Sequence, residues 1–414
     1  MDISGARVQE PTANPRGFLG WRMVALGFLA ANLAIGLSFG TFGVLIKPVA
    51  QEFGASRGMA SFGIAIVLLL MGIAGPALGV AFRHFRIRSV MIAGALLMAA
   101  GFVVASRATS FSLFLVGYSL LGGAGCAMLG IIPASTLIAN WFVARRGFAL
   151  GLISVPLLVA AAPPVFAALV EAHDWRFALL MEAALLLLTL PILWLVVDRP
   201  EDVGQQPLGA QHVPFKIGPD SARGVYGTLL RDRYFWGLLV SAGLITTGGI
   251  VIVSHLVPFA TDAGIAPTAA AMLISVNGAG SMVGAMLCGW VADRIGARLT
   301  VGLIGLTMAV LWSLLLAFPR YEVIMILLVG IGPCSGGLHP AFAALLANVF
   351  GREAFAVALG LATLLMLPFT FFAAPLAGAI YDATGSYDTA FAVEIGAFSL
   401  AAAILLGIFA QRAR

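Results

Sequence analysis

Gly289-Trp-Val-Ala-Asp293-Arg294-Ile-Gly296-Ala-Arg298 is a short polar interruption between two long apolar runs, 267–291 and 299–318. Gly289 permits close contact with a neighbouring helix, Asp293 can cap a helix N-terminus, and Arg294 and Arg298 belong at a water-facing surface. A helix needs roughly 20 apolar residues to cross about 30 Å of hydrocarbon. The stretch therefore reads as a tight turn between two membrane-spanning helices. The rest of the chain repeats this unit. Further apolar runs fall at 21–46, 57–82, 89–106, 111–139, 147–170, 176–197, 233–260, 321–347, 355–381 and 387–410, which makes twelve spans. Transmembrane strands would alternate apolar and polar residues, whereas these runs are continuously apolar.

Composition agrees. Of 414 residues, 61% are hydrophobic and only 10% charged, against roughly 25% charged in a soluble domain. Soluble globules, disordered chains, coiled coils and collagen are excluded, and the lipid bilayer is the expected partner. Cys126, Cys288 and Cys334 all lie in apolar runs without metal-ligand spacing and read as buried packing residues. The first apolar run is long enough to be retained as a span rather than removed as a signal. No phosphate-binding loop, catalytic triad spacing, metal cluster or haem-ligand arrangement stands out. The chain is read as a non-enzyme without catalytic residues, cofactor or metal site.

Twelve is even, so both termini lie on one side. Lys47, Arg57, Arg107, Arg176 and Arg320 fall on the opposite side, and the other eighteen of the 23 Lys and Arg fall on the terminal side. The positive-inside rule then puts both termini in the cytoplasm of a cytoplasmic membrane. The net charge of +5 reflects this topology and gives no support to nucleic-acid binding. From Asp198 to Asp232 the chain is polar and carries Pro200, Pro207, Pro214 and Pro219, which marks a surface linker. It separates an N-terminal six-helix bundle (1–198) from a C-terminal one (233–414), with the cytoplasmic linker at 199–232.

The halves repeat each other. At an offset of 210, Pro48 meets Pro258, Glu52 meets Asp262, Gly54 meets Gly264 and Gly79 meets Gly289. Nearby offsets pair Cys126 with Cys334, Asn140 with Asn348 and Glu182 with Glu394. A parallel repeat of six spans is a transporter architecture, with a site at the midplane between the halves.

With the repeat in hand, the stretch 289–298 resembles the cytoplasmic loop G-x-L-A-D-R-x-G-R-R of the major facilitator superfamily. The resemblance implies an all-α fold of twelve transmembrane helices in two six-helix bundles. It also implies a gate in which Asp293, Arg294 and Arg298 act with Arg145 and Arg146. The first-half copy has changed, with Arg83 and Arg86 where the family has Asp and Gly. Four further motifs are similar to the monocarboxylate and oxalate–formate branch: Gly17–Trp21, Gly40–Pro48, Trp141–Gly151 and His255–Ile265. In that branch a buried arginine stands where this chain has Ala285. An aspartate used by part of the branch falls at Ser281, and a lysine of some relatives falls at Gly43.

Polar side chains inside spans are costly and are functional candidates. Asn277, Ser281 and Ala285 share one helix face, as do Ser335 and His339. Thr41, His255, Asn277, Ser281, Ser335 and His339 are the expected substrate-binding residues. Helix–helix hydrogen bonding is the alternative reading for Asn277 and Ser281. Glu182 and Glu394, near span ends, read as structural groups within reach of water. Prolines at 163, 164, 333, 340, 368 and 375 mark places where helices bend. The expected function is secondary active transport of a small organic solute by alternating access, with protons as a coupling ion through His255 or His339. Without the span-8 arginine, that solute is larger or more apolar than lactate or oxalate. The alternatives are a multidrug-type exporter, whose span-5 signature is degenerate at Pro163–Ala168, and a non-transporting membrane sensor.

Overall fold

A computed structural model describes residues 17–142, 145–209 and 227–407. Among these residues, twelve helices are long and apolar enough to cross a membrane. They are span 1 (Gly20–Gly40), span 2 (Arg57–Gly75), span 3 (Ile87–Ser106), span 4 (Phe111–Trp141), span 5 (Phe148–Ala172) and span 6 (Trp175–Leu193). The second set is span 7 (Arg233–Asp262), span 8 (Pro267–Ala292), span 9 (Ala297–Ala317), span 10 (Tyr321–Phe350), span 11 (Ala358–Thr384) and span 12 (Asp388–Leu406). Number and placement follow the apolar runs. Polar residues set the boundaries: Ser56, Ser110, Asp174 and Asp232 each accept a backbone N–H from the first turn that follows. Gly54 (φ 61°), Gly264 (φ 84°) and Gly385 (φ 76°) supply the left-handed residue that ends or follows a helix.

Three spans depart from a regular α-helix. Span 1 closes in a π-helical turn, Gly36–Gly40, and continues as the helix Phe42–Phe53. Span 4 holds a π-helical segment at Leu115–Leu121. Span 5 is broken into Arg146–Ile153 and Leu157–Ala172, with Ser154–Pro156 non-helical between them. Pro163 and Pro164, expected to bend this span, lie inside its unbroken second part.

The first six spans pack on one another, as do the last six, giving two bundles. Small residues set the closest approaches. Between spans 8 and 10, a Cβ added at Gly284 would strike Pro333, and one at Gly336 would strike the Ser281 backbone. Gly289, expected to serve such a contact, has open space around it. Cys126 is buried as expected, while Cys288 and Cys334 are only half-buried. The bundles meet along span 2 with span 11, span 5 with span 8, and the helix Phe42–Phe53 with span 7.

Span 1 begins, and span 12 ends, on the face that carries the connection between the bundles; this is the linker face, and the opposite one is the far face. The first part of the connection is folded against the N-terminal bundle. Asp198 caps span 3 by accepting Ile87 N–H (2.7 Å) and Arg88 N–H (3.1 Å). Gln205 Oε1 accepts Leu19 N–H (3.0 Å), and Leu208 N–H donates to Trp141 O (2.9 Å). Residues 210–226 lie outside the described part.

Candidate functional site

The far face is where charged groups of the two halves meet. Asp262, at the end of span 7, lies between two cations of the first bundle. Lys47 Nζ stands 2.6 Å from its Oδ1. Arg57, the first residue of span 2, reaches Oδ2 through Nη1 (2.5 Å) and Oδ1 through Nη2 (3.0 Å). This two-pronged geometry is the strong form of the carboxylate–guanidinium pair. Asp382 of span 11 accepts the backbone N–H groups of Arg57 (2.9 Å) and Gly58 (2.8 Å), so one bundle caps a helix of the other. The Arg57 guanidinium also lies 3.9 Å from the centre of the Tyr381 ring. On the opposite flank of the interface, Thr268 N–H donates to Glu171 Oε1 (3.0 Å).

Polar contacts continue inward from this clamp. Arg57 Nη1 donates to Tyr387 Oη (3.2 Å), which lies 3.0 Å from His255 Nδ1. His255 Nε2 lies 2.9 Å from Ala374 O and 3.2 Å from Ser61 Oγ. A carbonyl oxygen only accepts, so Nε2 carries the proton; in the neutral ring Nδ1 then accepts from the Tyr387 hydroxyl. Ser61 donates to Arg57 O (2.7 Å). His255 is fully buried and joins spans 2, 7 and 11 and the residue before span 12.

Asn32 of span 1 closes the break in span 5. Its Nδ2 donates to Val155 O (3.0 Å), and its Oδ1 accepts Leu158 N–H (3.0 Å), the first free amide beyond the break. A non-helical turn at membrane depth is tolerated where a neighbour satisfies its backbone in this way.

The residues singled out from sequence fall in several places. Thr41, between span 1 and the helix Phe42–Phe53, is buried and donates to Leu37 O (2.9 Å). Asn277 is buried on span 8 beside Gly278, which packs on Ala160 of span 5, and its Oδ1 has no partner among the described residues. Ser281 Oγ lies 2.9 Å from Asn277 O and 3.1 Å from Gly332 O, bridging spans 8 and 10. Ser335 donates to Ile331 O (3.0 Å) and faces Gly249 of span 7. His339 is exposed in mid-span 10. Thus Asn277 and Ser281 form one group and the His255 network another.

Of the gating residues, Arg294 is exposed and stacks over Trp290 at 4.1 Å, and Arg298 is half-buried. Arg145 is exposed with φ 58°. The side chains of Asp293 and Arg146 lie outside the described part. Glu182 and Glu394 are buried rather than water-facing. Lys47, Arg57, Asp262, Asp382 and Tyr387 were not among the expected site residues. Their signal was the small set of basic residues on the far side, together with the Asp262 that the repeat aligned with Glu52.

Twelve membrane-length helices in two bundles, meeting along spans 2, 5, 8 and 11, define a multi-pass transporter fold. The chain belongs to the Major Facilitator Superfamily, which it matches over residues 28–266 and 245–414. It is 31% identical to monocarboxylate transporter 13 of Bos taurus, covering 94% of this chain and 88% of that protein. It is 27% identical to monocarboxylate transporter 11 of Homo sapiens, covering 93% of this chain and 82% of the relative. The fold is similar to that of a bacterial homologue of the human lysosomal transporter Spinster, with a TM-score of 0.69 at 15% identity and 94% coverage of both chains.

Proposed function

We propose that the protein is a secondary active transporter that moves a monocarboxylate-like organic solute by alternating access. In this reading residues 1–198 and 233–414 are the two moving bundles, 199–232 is a cytoplasmic linker, and both termini are cytoplasmic. The far face is then external. The observation that carries the reading is the Lys47–Asp262–Arg57 clamp, a set of ion pairs between bundles that must separate for a solute to pass. Asp293 with Arg145, Arg146, Arg294 and Arg298 would form the opposing gate at the linker face.

The broken span 5 supports a solute site at the midplane. Discontinuous helices flank the substrate in many transporters, and here Asn32 satisfies the backbone at the break. Asn277, Ser335 and His339, all of the second half, offer neutral or titratable hydrogen-bonding groups. Span 8 carries Ala285 where the branch it resembles has arginine, so a small, fully charged carboxylate would lose its cationic partner. A larger or more apolar acid fits better.

His255 is the proposed proton site. In the charged ring, Nδ1 becomes a donor facing Tyr387 Oη, which already accepts from Arg57. The hydroxyl hydrogen must then rotate away from Nδ1, and a second cation stands beside the Arg57 guanidinium, which weakens the network that joins the bundles. Uptake into proteoliposomes with an imposed pH gradient tests the reading, using lactate, phenylpyruvate and a neutral amide of matched size. Phenylpyruvate accumulation above lactate, with a pH profile flattened by His255→Ala, is expected. Efficient lactate uptake with an unchanged profile in His255→Ala, or no accumulation of any organic acid, would overturn it.

A further inference from the structure

Glu182 lies on span 6, about 10 Å along the helix axis from Trp175 at the far-face end. It is only 5% exposed, and neither carboxylate oxygen has a hydrogen-bond partner among the described residues. Thr41, which shares the surrounding wall, donates to Leu37 O (2.9 Å), and neighbouring Tyr118 donates to Ser38 O (2.7 Å). Both acceptors belong to the π-helical turn of span 1, an irregularity frequent at functional sites.

The carboxyl borders a cavity of about 360 Å³ between spans 1, 5 and 6. Apart from Thr41 and Glu182, its lining is apolar, with Leu37, Ala162, Phe166 and Leu169 among the walls. Val165, Met181 and Leu185, at its edge, are exposed, so the cavity opens on the outer flank of the first bundle rather than toward the second. The repeat supplies an internal control. Glu394, the counterpart on span 12, is also buried, but its Oε2 lies 2.7 Å from the Thr247 hydroxyl oxygen, which also stands 2.7 Å from Leu244 O. One carboxyl of the related pair has a hydroxyl of its own chain at hydrogen-bond distance, and the other borders a crevice of ligand size.

We propose that this crevice is a lateral binding site for a single-chain hydrophobic amine that enters from the bilayer, its N–H donors meeting Glu182 and its apolar body filling the space between spans 5 and 6. An unmet acceptor in an apolar site is costly, and a charged donor satisfies it best. The apolar lining selects the body, and the depth of the carboxyl excludes a phospholipid ammonium held at the membrane surface. The site is separate from the interface between the bundles and does not depend on the transport reading.

The test is saturable binding of radiolabelled octylamine to the full chain in phosphatidylcholine nanodiscs, after subtracting uptake by empty discs. One site per chain is expected, with octanol failing to compete at equal membrane concentration. Glu182→Gln should weaken binding by about ten-fold or more. Ala162→Phe, which fills the crevice and keeps the carboxyl, should do the same, while Glu394→Gln should leave binding unchanged. Helix content by circular dichroism verifies folding, and Ala162→Phe decides if Glu182→Gln does not fold. Non-saturable uptake, equal competition by octanol, or wild-type affinity in folded Glu182→Gln or Ala162→Phe would overturn the proposal. Displacement by added phosphatidylethanolamine would assign the crevice to a lipid head group instead.

Discussion

Repeat-related carboxylates have come to serve different purposes. Glu52 accepts Trp175 Nε1–H (2.7 Å) and pairs with Arg176, both within its own bundle. Its counterpart Asp262 pairs across the bundle interface with Lys47 and Arg57. Sequence placed these residues in register but could not say which anion would face the other half. A topogenic arginine and a gate arginine carry the same charge at the same membrane depth. Gly43 is another case. A Cβ there would lie 2.6 Å from Val253 O of span 7, so the missing side chain lets the bundles approach. The lysine of some relatives has no room in this arrangement. Gly43→Val should hold span 7 away and loosen the far face. A thiol introduced by Thr261→Cys, with the native cysteines replaced, should then react several-fold faster with an impermeant maleimide added from that side. An unchanged labelling rate would show that Gly43 does not control the approach.

At the scale of helices, sequence was informative about length and less so about irregularity. Continuous apolar runs fix the number of spans because the bilayer demands about 20 residues from each. The break in span 5 has a weaker signature. Pro163 and Pro164 are more conspicuous than Pro156, yet they sit in unbroken helix while the chain opens at Ser154–Pro156. The decisive partner is Asn32, more than a hundred residues away, and no local pattern reports that contact. The π-helical turns at Gly36–Gly40 and Leu115–Leu121 were likewise silent in the sequence. Asn32→Ala removes both hydrogen bonds that close the break and leaves Leu158 N–H unmatched, while Val155 O keeps the Leu157 N–H (3.0 Å). Burying one unmet backbone donor should cost about 1–3 kcal/mol, read as a lower thermal midpoint in detergent. Asn32→Asp, which keeps the acceptor for Leu158 N–H but sets a second oxygen against Phe28 O and Val155 O, should lose at least as much. Equal midpoints for all three proteins would show that water or lipid already satisfies the break.

For the whole molecule, the fold was legible because three independent features agreed: twelve apolar runs, a central polar segment and a parallel internal repeat. The candidate site was legible only in part. His255 stood out as an ionisable group within a span, but its partners Ser61, Ala374 and Tyr387 come from three other regions of the chain. Among the described residues, the ion pairs between bundles all lie on the far face. The proposed alternating access requires that they break, so weakening them should shift the population toward an arrangement open on that side. The most direct measurement is the distance between spin labels at Gln51→Cys and Ala383→Cys, both exposed far-face positions, in protein lacking Cys126, Cys288 and Cys334. With Asp262 intact, a single short distance should dominate. Adding Asp262→Asn should produce a second, longer population while helix content stays constant. A single unchanged distance in folded Asp262→Asn protein would contradict the claim that this clamp holds the far face shut.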